Sequence, residues 1–136
     1  MAYTTINKST DHFNTKLYTG TGSAQSLTGV GFQPDLVWCK DRTNGHDQVW
    51  FDAVRGATKR IRSNVDGAET TASTDLTAFD SDGFTVGSGS NINNSGNNFV
   101  SWNWKANGQG SSNTDGSINT TYTSVNTTTG FSISQY

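Results

Sequence analysis

The stretch Gly31-Phe-Gln-Pro-Asp-Leu-Val-Trp-Cys-Lys40 decides the fold of this chain. Pro34 is the only proline, and its locked φ and missing N–H suit a corner just ahead of a strand. After Asp35 come Leu36, Val37, Trp38 and Cys39, the longest apolar run of the sequence. A run that is apolar on both faces marks a central strand covered from both sides. Residues 36–40 are therefore read as the keel of a β-sandwich, with Trp38 in its core.

The composition around that keel points the same way. Thr, Ser, Asn and Gly supply 66 of 136 residues, while only 31% of the chain is hydrophobic. Four Trp, four Tyr and seven Phe must then build most of the core, each burying about 150–250 Å². Thr-rich, aromatic-rich sequence punctuated by glycine favours strands over helices. A net charge of −2 gives no ground for general nucleic-acid binding. No apolar stretch approaches a membrane span, and the opening Met-Ala-Tyr-Thr-Thr-Ile-Asn-Lys has no apolar signal core. The single cysteine, Cys39, excludes an internal disulfide. An extracellular-looking β-module without export signal or disulfide fits a virion component, folded in a reducing host cytoplasm and released by lysis.

Outward from the keel, residues 1–12 read as a polar arm and residues 13–106 as the sandwich. Residues 13–18 alternate, with Phe13, Thr15 and Leu17 on one face, and residues 23–28 form a second short strand. Asn44-Gly45 predicts a type I′ hairpin turn into a strand over 49–54. Two arms, 76–80 and 84–87, flank Ser81-Asp82-Gly83, and residues 99–105 form the second strongest strand, with Trp102 assigned to the core beside Trp38. Residues 107–116 look like a linker. Residues 117–136 end on Phe131-Ser-Ile-Ser-Gln-Tyr136, whose Phe and Tyr repeat the spacing of Phe13 and Tyr18. That tail is either the first strand of a second repeat or a strand that pairs with a sheet edge, its own or a neighbour's.

Candidate chemistry is sparse. A glycosidase needs two carboxylates at a set separation, and the one glutamate, Glu69, lies in a polar loop. His12 and His46 read as solvated loop residues. Asp80-Ser81-Asp82-Gly83 has the outline of a calcium-loop fragment but lacks the further oxygens calcium needs. It reads first as a hairpin turn with Gly83 at positive φ, so no cofactor is expected, with calcium at Asp80 and Asp82 the alternative. Arg55, Lys59, Arg60 and Arg62 fall within eight positions. They read either as the guarded edge of a sheet or as contacts to an acidic glycan or neighbouring subunit. Trp50 and Trp104 are the ligand-binding candidates, since flat aromatic faces stack on sugar rings.

Several segments together resemble a family of phage structural proteins with tail-fibre-like, concanavalin A-like (LamG-like) jelly-roll domains. They are Tyr18-Thr-Gly-Thr-Gly, Gly29-Val-Gly-Phe-Gln-Pro-Asp-Leu-Val-Trp, Phe51-Asp-Ala-Val-Arg-Gly-Ala, Phe79-Asp-Ser-Asp-Gly-Phe84 and Val100-Ser-Trp-Asn-Trp-Lys105. The resemblance spans Tyr3 to Ala106 and resumes in the tail. It implies a virion surface module. The expectation is an all-β, antiparallel two-sheet sandwich of jelly-roll type, non-enzymatic, acting in a tail fibre or capsid-surface appendage. Its expected partners are other virion proteins, copies of itself in a homo-oligomer such as a trimer, and host glycans. The alternatives are a carbohydrate-binding module of a larger enzyme, a glycan hydrolase, and a ligand-free filament or decoration subunit.

Overall fold

The computed structural model describes residues 5–136. Tyr3 and the rest of the first four residues of the expected arm lie outside the described residues. A short 3-10 turn at Ser9–Asp11 leads into twelve strands among the described residues. In order these are β1 (Phe13–Thr19), β2 (Gln25–Thr28), β3 (Leu36–Asp41), β4 (Val49–Asp52), β5 (Lys59–Arg62), β6 (Thr70–Thr71), β7 (Leu76–Asp80) and β8 (Gly83–Val86). A single helical turn, α1 (Ser90–Asn93), precedes β9 (Asn98–Trp104), β10 (Ser111–Asn113), β11 (Thr120–Asn126) and β12 (Phe131–Gln135).

The keel strand is central, as its sequence requires. It lies between β9 and β4 in a six-stranded sheet of order β1-β9-β3-β4-β5-β6. A three-stranded sheet, β2-β8-β7, covers its inner face, and every strand pairing is antiparallel. The chain is thus an all-β antiparallel sandwich. Val37, Cys39, Val49 and Phe51 from the large sheet meet Leu27, Leu76, Phe84 and Val86 from the small one, with Ile92 of α1 closing one side. Hydrophobic burial on this scale is the main stabilising term of the fold.

Two tight approaches seal the small sheet. Asp82, at the β7–β8 turn, accepts hydrogen bonds from the N–H groups of Gly31 (2.6 Å) and Gly29 (3.0 Å), pinning the approach to the keel. Gly83 has φ +149°, and a Cβ there would collide with the Leu27 carbonyl of β2. Glycine is needed for its backbone angle and for its missing side chain alike.

The structure corrects three sequence expectations. Asn44 and Gly45 do not take positive φ. Instead the buried Asp41 carboxylate accepts from the N–H of Thr43 (2.8 Å) and Asn44 (3.0 Å), an Asx-type turn in a longer loop. Trp38 and Trp102 are not core residues. They face outward, and the inner positions of β9 hold Phe99, Ser101 and Asn103, all fully buried. Alternation shows which residues share a face but not which face the second sheet covers. The supposed linker carries strand β10. Residues of β10, β11 and β12 form a third sheet in that order, with β12 paired along β11 from Asn126↔Phe131 to Tyr122↔Gln135.

This third sheet is tied to the sandwich by polar groups. The buried Asp35 carboxylate accepts from the N–H of Ala106 (2.6 Å) and Gly108 (3.1 Å). Ser124 Oγ accepts from Asn107 N–H (2.8 Å), and Asn126 donates to the Lys105 carbonyl (3.1 Å). Phe131 then lies 6.4 Å from Trp104, whose other neighbour is Phe13 at 5.0 Å. The two phenylalanines that share a sequence motif meet on one indole.

Candidate functional site

The outer face of the large sheet carries a row of aromatic residues in register. Trp102, Trp38 and Trp50 stand directly opposite one another on β9, β3 and β4, with Ile61 of β5 next in line. Their ring centroids are 4.8 Å (Trp38–Trp102) and 5.3 Å (Trp38–Trp50) apart, tilted by 35° in both pairs. Such cross-strand aromatic pairs each contribute about 0.2–1 kcal/mol to a sheet. The indole N–H groups of Trp38 and Trp50 are buried without a hydrogen-bond partner.

Where the row ends, the third sheet stands over it and encloses a cleft of about 500 Å³. Leu36, Trp50, Val54 and Ile61 form its apolar floor, with Asp52 and Arg55 beside them. Residues 131–136 form the opposite wall. A strand's side chains alternate between two faces, so six consecutive residues line one cleft only if the strand turns its edge toward it. The free edge of β12 thus contributes neutral backbone donors and acceptors, together with Ser132, Ser134 and Gln135. A mostly apolar cleft with a few converging polar groups is the usual form of a small-molecule site.

The sequence candidates separate on this map. Trp50 is in the cleft, while Trp104 lies outside it, packed between Phe13 and Phe131. The cationic cluster is matched within the chain. Arg55 meets Asp52 (2.6 Å) and Glu69 (3.2 Å), Arg60 meets Asp75 (2.8 Å), and Arg62 meets Asp47 (3.1 Å). Lys59 donates to the Thr71 hydroxyl at 3.0 Å. Burial holds the Asp75 carboxyl above its ordinary value even against the pull of Arg60. Asp80 accepts from the Thr85 hydroxyl (2.7 Å) while Asp82 serves Gly29 and Gly31, so the two carboxylates are committed to different partners. Among the described residues, no group of three or more His, Cys, Asp or Glu gathers as a metal site requires.

His12 and His46 are built into the fold more firmly than solvated loop residues would be. His46 Nδ1 lies 2.8 Å from Asp41, and His12 Nδ1 lies 3.1 Å from the Asn126 amide. Cys39 is fully buried against Tyr18, and burial pushes its thiol up to about 12, which leaves it inert as a nucleophile. The sequence reading missed Ile61, Leu36 and the whole β12 wall. Ile61 was hidden among cations, and only the shared Phe–Tyr spacing marked the tail.

The chain belongs to the family described as a domain of unknown function (DUF7483), whose family model matches residues 8–136. No curated protein and no solved structure matches it.

Proposed function

We propose that this member of the family is a non-enzymatic structural and adhesive module of a phage virion surface, in a tail fibre or capsid appendage, that holds glycans in the Trp50 cleft. The observation that carries the reading is that cleft, a flat indole floor facing an uncharged strand edge. The phage-family motifs of residues 18–105, a jelly-roll kinship and assembly into homo-oligomers belong to the same reading. Each module binds weakly, and many copies on one particle compensate through avidity.

A second reading has its own observation. Asp52 and Glu69 both reach Arg55, so two carboxylates do approach one another near the cleft, as a glycan hydrolase requires. Two facts favour adhesion over hydrolysis. Both oxygens of Asp52 are engaged by Arg55, through its backbone N–H (2.8 Å) and its Nε (2.6 Å), and Glu69 does not line the cleft.

The test is a pull-down of bacterial surface polysaccharide by the purified chain, with reducing ends assayed over time and particle size followed by light scattering. Retention without new reducing ends, lost in Trp50→Ala, is the expected result. Steady release of reducing sugar would replace adhesion with hydrolysis, and absence of retention would remove the glycan altogether.

A further inference from the structure

We infer that the cleft takes a neutral hexopyranose and discriminates against acidic glycans. This inference rests on the glycan-adhesion reading and sets its ligand class. Contact with an acidic glycan is one reading of the four cations within eight positions, but in the structure carboxylates offset them. Arg55, Lys59, Arg60 and Arg62 share their surface with Asp47, Asp52, Glu69 and Asp75, which is four charges against four. At the cleft Arg55 stands beside Asp52, and it is also held from outside the lining by Glu69. Nε and one terminal nitrogen of Arg55 already hold these carboxylates, and an anionic sugar approaching the remaining Nη2, which has no partner, would meet both as like charges.

The other surfaces of the cleft complete the match. Residues 106–136, which include the β12 wall, contain one charged residue, Asp115. The side chains of the wall therefore carry no charge, and Ser132, Ser134 and Gln135 hydrogen-bond as neutral groups. The floor offers the Trp50 ring and Ile61. A pyranose has the complementary form. One face of its ring is apolar C–H, and its rim is hydroxyl groups that both donate and accept. An extended peptide would also pair with the β12 edge, but it needs side-chain pockets at alternate positions, and the floor here is one continuous apolar surface of Leu36, Trp50, Val54 and Ile61.

A glycan array probed with the full chain tests this, using neutral, sialylated, uronic and sulfated oligosaccharides, followed by titration of the best neutral binder at low and high salt. The expected result is binding confined to neutral glycans, insensitive to salt, and weakened at least roughly tenfold in Trp50→Ala. Ile61→Trp, at a position 37% exposed, should fill the cleft and weaken binding without touching the core, which guards against misfolding of the first variant. Preference for acidic glycans with a steep salt dependence overturns the inference and leaves glycan adhesion standing. Failure to bind any glycan overturns both, and so does self-association through β12 that Ile61→Trp abolishes while sugars have no effect.

Discussion

The sandwich and the C-terminal sheet contrast in what holds them. Between the two layers of the sandwich the contacts are apolar and fully buried: Phe51, Phe84, Leu76 and Val37 have no exposed surface. The C-terminal sheet buries no large side chain. Its buried positions are Ser124 and Asn126, and its hold on the sandwich runs through hydrogen bonds to backbone and to His12 and one aromatic contact. The first unit closes on itself, and the second is docked. The cleft lies between them, so its floor is set by a rigid core and its wall by polar anchors that act over short distances and depend on geometry.

The sharpest way to break that contrast is to attack the core. Phe84→Ala removes a ring from the centre of the sandwich and should cost about 3–5 kcal/mol. Both units should then unfold together in a single denaturant transition, because the C-terminal sheet has nothing else to dock on. Two separated transitions would show that the sheet β10-β11-β12 stands by itself.

A smaller effect should come from the joint. Asp35→Ala leaves the N–H groups of Ala106 and Gly108 without their acceptor, at about 1–3 kcal/mol for each one that stays buried. Hydrogen exchange should then quicken along β11 and β12 while the protection of β3, β4 and β8 is kept. Equal loss of protection in both units would mean that Asp35 supports the sandwich as a whole.

The smallest effect concerns pH and stays within the sandwich. Backbone N–H groups of Gly31 and Gly29 hold the Asp82 carboxyl below its ordinary value. A carboxylate lowered in this way contributes stability above its unfolded pKa, about 3.9, and loses it as pH falls through the folded value. Asp82→Asn should therefore lower the urea midpoint modestly at neutral pH, with the gap to the parent chain narrowing in acid. A gap that is the same at both ends of the range would rule out ionisation as its source.

Much of the sandwich was legible in the sequence because its cues are local. Pro34 before an apolar run marked the central strand, alternation in residues 13–18 and 99–105 showed which of their side chains share a face, and Asp82-Gly83 marked a turn. The errors share a cause. Trp38 and Trp102 were placed inside because they are large and apolar, yet the covering sheet comes from residues far away in the chain, and it packs on the side of Phe99, Ser101 and Asn103. The Asn-Gly pair was overruled by Asp41, a carboxylate with better geometry for the same loop. The partners of the three arginines were not legible because their carboxylates lie up to 15 residues away.

The sequence by itself determined the all-β class, the central strand, the inert buried cysteine and the aromatic supply, since these follow from backbone propensity and alternation along a few residues. Only the tertiary structure decided that the tryptophans face outward, that the basic cluster is neutralised, and that the tail returns as β12 to wall a cleft over Trp50. Each of these depends on which distant segments come together. Hydrophobic burial and ion pairing reward such contacts without regard to separation in the chain, so no local pattern records them.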